Sequence, residues 1–288
     1  MTLSQRTRKL WPPLAVLGAI VGGWYALAYS LDNNFASGDG SALIIPPPHQ
    51  LFVGLNQATV DRIISATFIS AGTALVGLLI SIVIGLLFGV IMNMSRSLES
   101  ALWPWLIVLQ VTPIIVLTPI IVRVVGPTFG ARVLVTVLIA FFPIASNTLF
   151  GLRSVSRPLH DLFTLAKFSR WQRLMQLELP AASPAIFAGL RVSAGLAVIG
   201  AVVGDFFFTR GTPGLGRLIT YFFQDTRSGP MFVTALVAAF LGLGFFIAVE
   251  SLRRLIVSPW HQTEVARFIS SLSRCRPWRS RVVLAASQ

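Results

Sequence analysis

Two lysines, one cysteine, three histidines and ten acidic residues in 288 positions exclude several classes of activity before any motif is read. A phosphate-binding loop needs Gly-x-x-x-x-Gly-Lys-Ser/Thr, so that backbone amides and an ammonium cradle the phosphates. Lys9 follows Arg8 and Lys167 follows Ala166, so the chain has no such loop and any ATP hydrolysis must come from another chain. Cys275, alone in a basic tail, can form no internal disulfide and offers no metal cluster. His49, His160 and His261 stand apart and read as solvated loop residues, which supports neither metal binding nor acid–base catalysis. A membrane-embedded enzyme would need clustered catalytic groups, whereas the acidic residues are scattered.

What the chain has in quantity is apolar side chain. It is 55% hydrophobic and 11% charged, with a mean hydropathy of +0.77, far from the averages of soluble domains. This predicts an all-α, polytopic membrane protein. Apolar runs at 11–30, 63–94, 101–122, 133–152, 182–208 and 231–256 each reach the roughly 20 residues that a helix needs to cross the hydrocarbon. Six transmembrane helices are expected, and their internal Pro113, Pro119, Pro143, Gly85 and Gly89 are of the kind membrane helices tolerate. The run at 11–30 follows Arg6, Arg8 and Lys9 and ends in Ala26-Leu27-Ala28, as a secretory signal could. Its apolar part is longer than a signal's usual 7 to 15 residues, which favours a retained first span.

The cations set the orientation, because retained loops carry excess Lys and Arg. With the N-terminus inside, 17 of the 23 Lys and Arg fall on the cytoplasmic side and six outside (Arg62, Arg123, Arg132, Arg210, Arg217 and Arg227). Both termini are then cytoplasmic, with the loops at 31–61 and 209–228 outside. The formal charge of +13 reflects orientation and attraction to anionic headgroups, and no nucleic-acid-binding domain, because the basic residues sit in short loops beside spans. The chain divides into a cytoplasmic N-terminus at 1–10, a transmembrane domain at 11–260 and a basic cytoplasmic tail at 261–288, the last expected to be disordered or to lie on headgroups. No internal repeat supports an inverted-repeat carrier.

The segment at 158–180 is polar enough to leave the bilayer, yet Leu162, Leu165 and Ala166 recur at helical spacing. Ser169 and Gln172 have capping-box spacing, so a second short helix should run from Arg170 toward Leu177. Two short helices with an elbow near Lys167 could press an apolar knob into a partner's groove, or the segment could rest on lipid as an amphipathic helix. Polar residues at membrane depth give a second set of candidates, for a translocation pathway: Gln110, Thr112, Asn147, Thr148 and Asp205. Asp205 leads, since an ionisable residue there is a functional hypothesis by default, against the alternative of an anchor paired with Arg210. Phe206, Phe207 and Phe208 are read as interfacial packing in preference to a gate.

The segment at 158–180 resembles the cytoplasmic E-A-A-x3-G-x9-I-x-L-P signature of permease subunits of binding-protein-dependent ABC importers. Asp161 falls at the Glu, Leu162 and Phe163 at the two Ala, Lys167 at the Gly, Leu177 at the Ile, and Leu179-Pro180 at the Leu-Pro. A Lys at a left-handed elbow costs on the order of 1 kcal/mol. Other stretches extend the resemblance over nearly all of 10–260: Pro180 to Pro184, then Phe187-Ala188-Gly189-Leu190-Arg191, Phe141-Phe142-Pro143, Asn147-Thr148, Gly151-Leu152, and Gly214-Leu215-Gly216 after Asp205. These look like the nitrate, sulfonate, taurine and bicarbonate type, with relatives for thiamine-pyrimidine or riboflavin precursors.

The resemblance implies a type I ABC importer-like permease in the cell membrane, working as a homodimer or pseudo-dimer without catalytic residues. Two cytoplasmic ATPase chains carrying ATP and Mg would dock at Asp161, Leu162, Leu165, Ala166, Lys167, Ser169, Arg170 and Trp171, and an extracytoplasmic protein would deliver the solute. No cofactor or metal is expected on this chain. The expected solute is of the nitrate, sulfonate and taurine class, with a thiamine-pyrimidine or riboflavin-type precursor as the alternative. An ATP-independent channel or a membrane scaffold would show no ATP-dependent solute flux.

Overall fold

The computed structural model describes residues 3–35, 45–52, 54–207 and 211–274, with side chains placed for most residues within 11–256. The helices are α1 (Leu3–Phe35), α2 (Gln57–Met94), α3 (Arg96–Val111), α4 (Ile114–Val125), α5 (Phe129–Leu152), α6 (Arg157–Leu165), α7 (Arg170–Arg173), α8 (Leu179–Phe206), α9 (Leu215–Gln224) and α10 (Ser228–Arg274). A 3-10 turn lies at Pro48–Gln50 and a π turn at Leu174–Glu178. No strand occurs among the described residues.

Four helical stretches are long and apolar enough to cross a bilayer: Gln57–Met94, Phe129–Leu152, Arg170–Phe206 and Ser228–Ile256. A fifth arises if α3 and α4 are one broken span, so four or five of the six expected spans are found among the described residues. The expected run at 101–122 is bent by 98° between Val111 and Ile114. Pro113 supplies the reason, since it has no N–H to donate and its ring pushes Thr112 out of helical geometry. The described apolar part of α1, Leu14–Ser30, is shorter than the four clear spans. Two other boundaries also differ from expectation. Pro180 does not end the segment before it, because helix runs unbroken from Arg170 through Pro180 to Phe206. The wider π turn at Leu174–Glu178 immediately precedes the ring that would otherwise press on the carbonyl one turn back. α10 stays helical to Arg274, so of the two states expected for the basic tail its described start matches a helix able to lie on headgroups better than disordered chain.

Two compact units share these helices. The first comprises Met1–Ser81, Ile107–Ala140 and Gly195–Leu243, and its core gathers Ile63, Ala66, Leu215, Leu218 and Phe222, with Val202, Met231 and Leu241 against them. The second comprises Ile82–Leu106, Phe141–Ala194 and Gly244–Gln288. It has one cluster of Met92, Leu106, Phe141 and Leu149 and another of Leu152, Leu174 and Ala182. Lipid tails are as apolar as leucine, so helices in a membrane are held by close packing more than by the hydrophobic effect. In the second unit, Gly85 and Gly89 form a Gly-x-x-x-Gly ridge on α2 against α5. A Cβ on either would stand 2.7 Å from Ile144 Cβ or 2.6 Å from Thr148 Cβ.

Candidate functional site

The segment at 158–180 builds an elbow in the second unit. Ser156 is the extended N-cap residue of α6 and Pro158 lies in its first turn, where a missing N–H costs nothing. α6 ends in a Schellman arrangement: Lys167 N–H donates to Thr164 O (3.0 Å) and Phe168 N–H to Phe163 O (3.1 Å). The accompanying apolar contact is present, with the Phe163 and Phe168 rings 4.8 Å apart. Lys167 stands at the left-handed position with φ of 56°, where glycine is usual. The side chain is thus accommodated at a cost of about 1 kcal/mol and the elbow geometry survives the missing glycine. The expected capping box then opens α7. Ser169 Oγ accepts from Gln172 N–H (3.3 Å), while Ser169 N–H donates to Gln172 Oε1 (2.8 Å). Arg173 Nη2 donates to Thr164 Oγ1 at 3.0 Å and staples the two helices together.

The elbow rests on its own unit and turns apolar surface outward. Leu174 is buried with Leu152 and Ala182, and Asn93 Nδ2 donates to Glu178 Oε2 at 2.7 Å. Leu165 is 81% exposed, Leu162 58% and Trp171 59%; Asp161, Ala166, Lys167, Ser169 and Arg170 are exposed as well. The expected docking residues therefore lie together on one short double helix, with large apolar side chains bare to solvent. His160, expected in a solvated loop, is in α6 with Nδ1 4.0 Å from Glu178 Oε1. His49 is likewise not isolated, since it stacks on Tyr25 at 5.8 Å and its Nδ1 is 3.2 Å from the Tyr25 hydroxyl. His261 and Cys275 lie outside the described side chains.

The first unit contains a buried charge node around Asp205. The partner weighed from sequence, Arg210, lies outside the described residues; the structure pairs Asp205 with Arg132, at 3.2 Å from Arg132 Nη1 to Asp205 Oδ1. Asp205 is 1% exposed and Arg132 6%. Asp205 also accepts the backbone N–H of Arg217 (3.2 Å) and that of Gly214, so its carboxylate meets the N-terminal turn of α9. Arg132 Nη2 donates to Thr212 O at 3.1 Å, and Ser70 Oγ accepts the Leu215 N–H at 2.9 Å. The Gly214-Leu215-Gly216 motif has a steric reason here. A Cβ on Gly214 would strike the Asp205 carboxylate and one on Gly216 the Val202 carbonyl. The sequence signal for Arg132 was available, since a buried acid needs a cation and Arg132 begins an otherwise apolar helix.

The other pathway candidates are dispersed. Gln110 is exposed and Thr112 half-buried at the Pro113 break, with Thr112 Oγ1 donating to Val108 O at 2.7 Å. Asn147 Nδ2 donates to Pro143 O at 2.8 Å, and Thr148 is fully buried against Gly89. Gln110, Thr112 and Asp205 belong to the first unit, Asn147 and Thr148 to the second. Sequence reasoning missed a further charged contact in the second unit, Arg191 Nη1 to Glu250 Oε2 at 3.5 Å. No group of three or more metal-ligating side chains occurs among the described residues.

Residues 81–258 match the model of the family described as "Binding-protein-dependent transport system inner membrane component". The chain belongs to this family. It is a transport subunit of the membrane and not an enzyme. The permease is 33% identical over 231 residues to the formylaminopyrimidine transport permease protein ThiX of Halalkalibacterium halodurans, covering 78% of this chain and 89% of that one. It is 36% identical over 162 residues to the riboflavin transport system permease protein RibX of Chloroflexus aurantiacus, covering 56% and 60%. Relatives named for aliphatic sulfonates and nitrate match at 28% and 27%. The fold is that of a chain of the MetNI methionine ABC transporter, with a TM-score of 0.61 at 16% identity over 70% of this chain and 99% of that chain.

Proposed function

We propose that this permease forms one half of the solute pathway of a small-molecule importer and is driven by separate ATPase chains gripping the α6–α7 elbow. The observation that carries this reading is the bare apolar face of Leu162, Leu165 and Trp171 on a double helix whose backbone is rigidly terminated and capped. A second permease copy, two ATPase subunits and a solute-binding protein complete the complex. ATP closure of the ATPase pair would move the elbow and bias two states of the pathway. In this reading α1 and the broken α3–α4 pair supply the remaining membrane crossings, both termini are cytoplasmic, and the 31–61 and 209–228 loops face outward. Gln110 and Thr112, at the Pro113 break, are the better-supported pathway residues. The burial of Thr148 and the engagement of Asn147 and Asp205 within the fold support packing and anchoring roles for those three.

The identities to permeases named for formylaminopyrimidine and riboflavin favour the alternative solute class, a heterocyclic vitamin precursor, over nitrate or sulfonates. Ligand screening of the associated binding protein decides between them: stabilisation by aminopyrimidines or flavins supports the precursor class, and stabilisation by nitrate, taurine or alkanesulfonates removes it. Coupling is tested by replacing Leu165 and Ala166 with Asp, which places charge in an apolar groove. Uptake should be lost and the ATPase should no longer copurify; unchanged copurification and uptake would end the proposal. Labelling of single cysteines in a Cys275→Ser background tests the orientation, with a probe at position 39 expected to react from outside.

A further inference from the structure

Beside the elbow lies a cleft of about 280 Å³ whose walls include Asn93, Arg170, Trp171, Arg173 and Glu178. Its charges are unbalanced in a specific way. Glu178 is already engaged by Asn93 at 2.7 Å and approached by His160 at 4.0 Å. Arg173 uses Nη2 on Thr164, but its Nε is buried and has no acceptor. Arg170 is exposed and has no ion pair or hydrogen-bonded side-chain partner among the described residues. Arg170 thus offers an unengaged guanidinium in the wall of the cleft, and Arg173 adds a second positive charge beside it.

We infer that this cleft is a cationic socket that receives one carboxylate side chain of the docked ATPase, next to the apolar contact made by Leu162, Leu165 and Trp171. The inference rests on the docking reading above. Two guanidinium groups against one carboxylate leave a net single positive charge, which one Asp or Glu neutralises. A planar guanidinium takes a carboxylate in paired, geometrically defined hydrogen bonds. The socket is continuous with the exposed apolar face, so a partner seated on that face would cover the cleft and shield the new pair from water, where its attraction is stronger. Apolar contact would then supply adhesion, and the charge pair would fix the register of the ATPase on the elbow.

The test uses the assembled importer and measures ATPase affinity against ionic strength. Arg170→Gln should weaken association on the order of tenfold and flatten its salt dependence, with partial recovery in Arg170→Lys. Arg173→Gln should do the same, beyond the effect of Thr164→Ala, which removes the staple to Arg173 and the hydroxyl's own bond to His160 O but keeps the Arg173 charge. Wild-type affinity and salt slope in Arg170→Gln, while Leu165→Asp still releases the ATPase, would overturn the socket and leave the docking reading standing. Retention of the ATPase by Leu165→Asp would overturn both. Repeating the measurement in bilayers without anionic lipid separates the two sources of negative charge: the Arg170 effect should persist, and its disappearance would assign the cleft to lipid headgroups and overturn the inference.

Discussion

The Asp205 node and the α6–α7 elbow treat polar and apolar groups in opposite ways. At the node, an acid and a base are both nearly sealed from solvent. Each finds partners within the first unit: Asp205 on Arg132 and two backbone amides, Arg132 on Asp205 and the Thr212 carbonyl. At the elbow, three large apolar side chains are bare and a lysine sits in a left-handed turn. A buried, internally paired node holds a shape. A bare apolar surface on a rigid backbone is shaped for something outside the chain. Substitutions at the node should therefore damage folding, and substitutions at the elbow should damage assembly.

The largest expected effect comes from unbalancing the node. Asp205→Asn leaves Arg132 as a buried, uncompensated charge, a change worth about 3–5 kcal/mol where a buried pair loses one partner. The yield of folded permease should fall sharply, uptake per assembled complex should stay near wild type, and adding Arg132→Gln should recover part of the yield. Normal yield with lost uptake would instead place Asp205 in the pathway. Next, Gly216→Ala forces a methyl against the Val202 carbonyl and should destabilise by about 1–3 kcal/mol, seen as a lowered Tm of the purified permease. Ser169→Ala removes one arm of the capping box and should cost about 1 kcal/mol locally, read as faster amide exchange in α7. Smallest is Lys167→Gly, which relieves the left-handed strain while adding unfolded-chain entropy. A gain of about 0.5–1 kcal/mol in elbow protection is expected, read as slower amide exchange at the end of α6.

These outcomes bear on how much was legible beforehand. The elbow was readable because its determinants are local: Ser169 and Gln172 three apart, and Leu162 and Leu165 on one helical face. Even there, the continuity through Pro180 was not visible, since a π turn has no sequence signature and proline ordinarily marks a stop. The break at Pro113 was hidden for the converse reason, because membrane helices often carry proline without bending so far and hydropathy does not register direction. Asp205 was found as a lone acid at depth. Its partner was not, because Arg132 lies 73 positions away in sequence and was counted only as an outside cation; long-range pairing depends on helix packing, which periodicity leaves open. The same applies to Asn93 with Glu178 and to Arg191 with Glu250.

Cross-linking from single cysteines at two exposed positions, Leu165 in the elbow and Phe223 in α9, in a Cys275→Ser background tests the central contrast most directly. Leu165 is 81% exposed and Phe223 70%, so accessibility alone does not separate them. In membranes containing the assembled importer, Leu165→Cys should cross-link to the cytoplasmic ATPase and Phe223→Cys should not. Cross-linking of the ATPase to position 223, or none at 165 in a complex that still transports, would contradict the assignment of the elbow as the place where the driving force enters.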